Sequence, residues 1–149
     1  MGTLLDTAVF IHLERSLRGR DPAFARRDVL RQLREELGDY EEVAISAITA
    51  SELLHGVHRA NAANKVAREA FVEMLLDSIP VIPFDLLSAR THSRLWADLA
   101  ANGIDIGAHD RIVAATAMAM GWSVGTANVR HFDRIPGLAV MRISFSTAG

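Results

Sequence analysis

Two rhythms of apolar and polar positions alternate along the chain. Short continuous apolar runs recur between longer stretches in which apolar residues return every three or four positions. The first rhythm belongs to strands buried on both faces and the second to amphipathic helices. Thr3–Asp6 is the predicted first strand, followed by a helix from Ala8 to about Arg18 with Val9, Leu13 and Leu17 on one side. Asp21-Pro22 is a helix start, a capping residue before a proline whose missing N–H costs nothing there. Leu30, Leu33 and Leu37 then recur at helical spacing as far as Gly38. Glu42–Ala47 reads as a second strand, with Thr49 opening the next helix and Ala62 to Leu76 forming another. Val81–Phe84 is a short strand, and Asp85 caps a helix ending near Gly103. His109 to Met120 is helical with Gly121 as its terminator, then come strands at Trp122–Thr126 and Leu138–Arg142. Strands separated by helices imply an α/β fold, a mostly parallel sheet with helices on both faces.

Composition narrows this picture. The 149 residues fit one domain spanning the chain, and a 50% hydrophobic content is ample for its core. A net charge of −2 excludes a generally basic nucleic-acid binder, though local patches remain open. Of the 16 basic residues, all but Lys65 are arginine, which suits bidentate phosphate contacts and equally reflects base composition of a genome. The absence of cysteine excludes disulfides, thiolate metal sites and cysteine nucleophiles. The apolar opening Leu4–Leu13 has no basic leader and is interrupted by Asp6 and His12. Met1-Gly2 would suit myristoylation, but Asp6 stands where that signal needs a hydroxyl. No stretch is long and apolar enough to span a bilayer. The expectation is a soluble cytoplasmic protein.

Candidate chemistry comes from where polar residues fall on the predicted elements. In a parallel α/β sheet, the carboxyl ends of strands and the amino ends of the following helices share one edge, where ligand sites collect. Asp6 ends the first strand, Glu52 falls in the first turn of the helix after the second, and Asp110 opens the helix after Ile106-Gly107. Asn128 sits just past Trp122–Thr126. Carboxylates gathered on one edge repel, and a hard divalent cation such as Mg²⁺ or Mn²⁺ compensates them while leaving positions for water and phosphate oxygens. The constellation suggests phosphodiester hydrolysis. Each residue also has a plain structural role open to it. Glu52 completes Thr49-Ala50-Ser51-Glu52, a capping-box pattern; Asp110 can complement a helix dipole; Asn128 is a common turn residue. Asp6, a charge directly after Leu4-Leu5, is the hardest to explain without a function.

Four blocks resemble the PIN-domain family. LLDTAVFI at Leu4–Ile11 resembles its opening strand and first acid, and SAITASELLHGV at Ser46–Val57 its second block around Glu52. IGAHDRIVAATAMAMG at Ile106–Gly121 is similar to the third block around Asp110, and TANVRHFDRIPGLAV at Thr126–Val140 to the closing block with Asn128. In combination they resemble the VapC toxins of VapBC toxin–antitoxin systems. The resemblance implies an Mg²⁺- or Mn²⁺-dependent endoribonuclease, a homodimer inhibited by a cognate VapB-type antitoxin. It implies Asp6, Glu52 and Asp110 as metal-holding catalytic residues, with Asn128 at a fourth position that is either Asp or Asn. Thr7 and Thr126 are supporting candidates for metal or phosphate binding, and Asp133 for an outer acid.

An acidic site repels RNA, so basic residues are expected to flank it. Arg15, Arg18 and Arg20 follow the first predicted helix, Arg111 adjoins Asp110, and Arg130 and Arg134 follow Asn128. His55 and His58 lie one helical turn apart but lack a third zinc ligand at suitable spacing. The stretch Ala60–Leu76 suits a partner helix or ordinary core packing equally. Three other functions compete: a housekeeping PIN-domain RNA-processing nuclease, a catalytically silent interaction module, and a phosphatase of the haloacid dehalogenase type. The last wants a second aspartate two residues after Asp6, where this chain has Ala8.

Overall fold

The structure, a computed structural model, describes residues 1–17 and 22–145. Among these, five strands form one sheet in the order β3-β2-β1-β4-β5, every pairing parallel. The strands are β1 (Gly2–Leu5), β2 (Glu42–Ser46), β3 (Val81–Ile82), β4 (Ser123–Thr126) and β5 (Val140–Arg142). Between them run α1 (Thr7–Ser16), α2 (Pro22–Leu37), α3 (Ala47–Arg59), α4 (Ala62–Ser78), α5 (Leu86–Ala101) and α6 (Ala108–Met120). A short 3-10 turn, Val129–His131, follows β4. No helix of the described residues is long and apolar enough to cross a membrane.

Side-chain alternation along the central strands divides the core into two layers. Leu5 and Ile45 face a cluster with Val9, Phe10, Leu13, Val29, Leu53 and Leu75 from α1 to α4. Leu4, Ala44 and Val124 face the opposite cluster with Leu95, Leu99, Val113 and Ala117 from α5 and α6. The stretch Ala60–Leu76 thus serves the core: α4 buries Val72 and Leu75 in the first cluster. Asp85 caps α5 by accepting from the Ser88 N–H at 2.9 Å, and Gly121 ends α6 in the left-handed region at φ 68°.

The boundary that matters most for the site differs from the one read in the sequence. The helix after β2 begins at Ala47, because Ser46 is its cap and accepts from the Thr49 N–H at 3.2 Å. Thr49 is therefore inside α3 and the Thr49–Glu52 capping box does not form. Glu52 lies a turn deeper than expected and is released from any capping duty. Asp21, and with it the predicted cap of α2, lies outside the described residues.

Strand order reverses beside β1: the chain builds outward through β2 and β3, then crosses to β4 on the other side. Crevices at such reversals are where α/β sheets bind ligands. Here the crevice lies past Leu5 and its register partner Gly125. Gly125 is the tight point, since a Cβ there would stand 2.6 Å from Ile143 Cδ1 and 2.8 Å from Thr3 Cγ2. Gly125→Ala is expected to cost about 1–3 kcal/mol through overpacking, lowering the thermal midpoint by roughly 3–10 °C. An unchanged midpoint would show that the neighbouring side chains yield freely.

Candidate active site

Asp6 sits at the end of β1 with its backbone N–H donating to the Gly125 carbonyl at 2.9 Å, so the sheet itself fixes its position. It is 5% exposed. Across the strand-order reversal, the buried Thr126 hydroxyl donates to Asp6 Oδ2 at 3.0 Å. The Asn128 N–H in turn donates to that hydroxyl at 2.9 Å. Thr7, the first residue of α1, donates its hydroxyl to Glu52 Oε1 at 3.1 Å, tying α1 to α3. Asp110, in the first turn of α6, meets His131 Nδ1 through Oδ2 at 3.2 Å. His131 Nε2 lies 2.9 Å from Asn128 Nδ2, and His109 Nδ1 lies 3.8 Å from Glu52 Oε2.

Asp6, Glu52, Asp110 and Asn128, remote in sequence, thus meet at one sheet edge, joined through Thr7, Thr126 and His131. The sequence patterns pointed to all of these except the histidines. His109 and His131 escaped notice because a single histidine has no periodic signature; their signal was adjacency, one directly before Asp110 and the other three residues after Asn128.

The carboxylates are electrostatically strained. Burial pushes the Asp6 carboxyl above its ordinary range, against the opposing effect of the Thr126 hydroxyl, the Thr7 and Ala8 backbone and, when its ring is protonated, His131. Burial also raises Asp110, and the charges of Asp6 and Glu52 raise it further while His131 and His109 oppose them. Asp110 therefore senses both other carboxylates. An all-oxygen acidic set under mutual repulsion has the chemistry a hard divalent cation relieves. Among the described residues, however, no three His, Asp or Glu side chains stand arranged to hold one ion.

The other candidates fall differently. Asp133 is exposed on the turn after Asn128, and Arg15 and Arg130 are exposed. Arg134 donates to the Asp105 carbonyl at 2.8 Å. Arg111 is half-buried: its Nη1 donates to the Ile106 carbonyl at 2.7 Å and its guanidinium lies 5.2 Å over the Trp96 ring. Backbone carbonyls thus occupy part of the donor capacity of both. Arg18 and Arg20 lie outside the described residues. His55 and His58 are exposed on α3.

The PIN domain family model matches residues 3–138, taking in both the Asp6 strand and the Asn128 turn. The chain belongs to the PIN-domain family. Within it, ribonuclease VapC1 of Rickettsia felis is 35% identical over 145 residues, covering 97% of this chain and 98% of the relative. The tRNA(fMet)-specific endonuclease VapC of Salmonella typhimurium is 33% identical over 98 residues, covering 66% of this chain and 73% of that protein. The crystal structure of DNA-bound VapBC from Salmonella typhimurium matches the fold with a TM-score of 0.76 at 27% identity, over 97% of this chain and 99% of that one. This is a VapC-type PIN domain.

Raised carboxyl groups give the metal-free protein a definite pH response. Such a group favours the fold at low pH; its contribution is complete below the ordinary value of 3.8 and is lost as pH rises through the folded value. At pH 7 ionised Asp6 is therefore a net liability. Metal-free Asp6→Asn is expected to melt above wild type at pH 7 by about 2–4 °C, the shift ~1 kcal/mol gives in a domain of this size. Calorimetry across pH should show that advantage shrinking toward pH 4. An equal or lower midpoint at pH 7 would mean the site does not strain the fold.

Proposed function

We propose that this PIN domain is a divalent-metal-dependent endoribonuclease that serves as the toxin of a toxin–antitoxin pair. The observation that carries the proposal is the meeting of Asp6, Glu52 and Asp110 at the strand-order reversal, with Asp110 sensing the charge of both others. Their oxygen chemistry fits Mg²⁺ or Mn²⁺, and these three residues would hold the ion by drawing together from the metal-free arrangement, in which no three described side chains are set around one position. When bound, such an ion supplies a Lewis acid that offsets charge on the scissile phosphate.

The chain's own residues do the remaining work. Thr126 and Thr7 each pin one oxygen, on Asp6 and Glu52 respectively, which keeps the carboxylates from drifting apart under repulsion. Asp110 or Glu52 orients a water for in-line attack and takes its proton. Asn128 keeps the fourth position uncharged, which limits the acidity of the edge. Thr7, Thr126 and Asp133 support the site, with Asp133 outermost. RNA, repelled by the acids, would be drawn by Arg15 and Arg130, exposed near the ends of α1 and β4, and by the remaining donors of Arg111 and Arg134. Arg18 and Arg20 belong to the same proposal from the sequence alone.

By the same proposal the chain forms a homodimer in the cytoplasm and is held inactive by a VapB-type antitoxin. The named relatives support this, being VapC ribonucleases and a VapBC complex.

Purified protein freed of antitoxin and incubated with total cellular RNA is expected to release discrete fragments with Mg²⁺ or Mn²⁺ and none with EDTA. Asp6→Asn should lower cleavage at least ~10³-fold while remaining folded. Full activity in that variant would overturn the assignment of the site, and no cleavage by folded wild type in any metal would favour a silent interaction module. Added salt from 50 to 200 mM should weaken RNA binding steeply, by about 10³-fold if six or more phosphates are contacted. A flat response would remove the arginines from the proposal.

A further inference from the structure

We propose, on the metal-dependent reading above, that Asn128 and His131 work as one positioning unit that sets the two aspartates relative to each other. Asn128 has two arms. Its backbone N–H donates to Thr126 Oγ1 at 2.9 Å, and that hydroxyl donates to Asp6 Oδ2 at 3.0 Å. Its side-chain Nδ2 lies 2.9 Å from His131 Nε2, and the far side of that ring reaches Asp110 Oδ2 at 3.2 Å. A single residue, two positions past the end of β4, thereby links the acid that follows β1 to an acid on α6.

The hydrogen-bond inventory assigns the ring. An imidazole with its proton on Nδ1 donates to Asp110 and accepts from the Asn128 amide through Nε2, satisfying both neighbours at once. An aspartate at 128 could only accept, so it would force the ring to donate from both nitrogens and would add a further negative charge beside two strained carboxylates. Asparagine at 128 and histidine at 131 are thus matched to each other.

The arrangement also distinguishes the three acids. Asp6 and Glu52 are each pinned by a hydroxyl on a strand or helix, Thr126 on β4 and Thr7 on α1. Asp110 is pinned by a side chain on a short turn, and His131 is half exposed there. Without Asn128 behind it, no other hydrogen bond among the described residues holds the ring toward Asp110. Partners that hydrogen-bond a ligating carboxylate commonly change metal affinity 10- to 100-fold when removed.

Binding of Mn²⁺ to the purified protein, read as loss of the free-ion electron paramagnetic resonance signal, tests this without relying on cleavage. His131→Ala and Asn128→Ala should each weaken Mn²⁺ binding about 10- to 100-fold. The double variant should be no weaker than the worse single one. His131→Asn, whose amide nitrogen can take the place of Nδ1, should recover part of the loss. In cleavage assays at saturating Mn²⁺ the single variants should lower kcat and leave KM for RNA unchanged. Both positions are solvent-exposed, so folded protein is expected in every case. If Asp6→Asn abolishes Mn²⁺ binding while the His131 and Asn128 variants bind like wild type, the positioning unit is overturned and the metal site stands. Losses that multiply in the double variant would make the two residues independent and also overturn it. Wild type that takes up no Mn²⁺ would overturn both the metal site and the unit.

Discussion

The crowding of carboxylates at a single sheet edge is the constraint around which the rest of the molecule is arranged. Asp6 cannot retreat, because its backbone is bonded into the β1–β4 ladder and its side chain is buried. Asp110 arrives from the opposite layer on α6, and Glu52 from α3. Left alone, such a group would take up protons or splay apart. The protein prevents splaying with a hydrogen bond to one oxygen of each acid: Thr126 on Asp6, Thr7 on Glu52 and His131 on Asp110. On the proposed reading, the unrelieved charge that remains would drive the uptake of a cation.

Placing those pins demands an accurate sheet. Thr126 reaches Asp6 because β1 and β4 are adjacent and parallel, with Leu5 opposite Gly125. A one-residue slip of β4 would turn Thr126 to the other face and away from Asp6. Gly125 permits the register by leaving room for Ile143, Thr3 and Leu5 side chains where a Cβ would collide. A packing detail in the core thus carries directly into the geometry of the acids.

Much of this was legible in the sequence, and the exceptions have physical causes. The α/β class and nearly every element followed from hydrophobic period, and Asp85 and Gly121 fell at the helix ends their chemistry predicts. The start of α3 was misplaced because two hydroxyl residues compete for one cap: Thr49 begins the better local pattern, yet Ser46 ends β2 and its hydroxyl reaches the Thr49 N–H. Cap choice depends on where the preceding strand stops, which pairing with β1 decides. The acids were visible as charges at strand and helix ends. The histidines were invisible because their meaning lies in contacts with Glu52 and Asp110, about 57 and 21 residues away. Arg111 shows another limit of sequence: a basic residue beside an acid looks wholly available for phosphate, but this one lies over Trp96 with Nη1 on a carbonyl, so only part of its donor capacity is open.

That difference among the arginines bears on how one catalytic centre can act on a chosen RNA. The three acids and their hydroxyl pins come from regular elements that any member of the fold must build in much the same way. Discrimination has to come from outside them, from groups whose position the sheet does not dictate. On the proposed reading, the candidates in this chain are the exposed Arg15 and Arg130, the turn holding Asn128 and His131, and the exposed Trp96 and Phe84 flanking His92. RNA is read through shape, unpaired bases and backbone contacts more than through a groove code. On that reading, a rigid acidic edge with exposed basic and aromatic side chains outside it separates the two tasks, so that substrate choice can change without disturbing the register that keeps the carboxylates together.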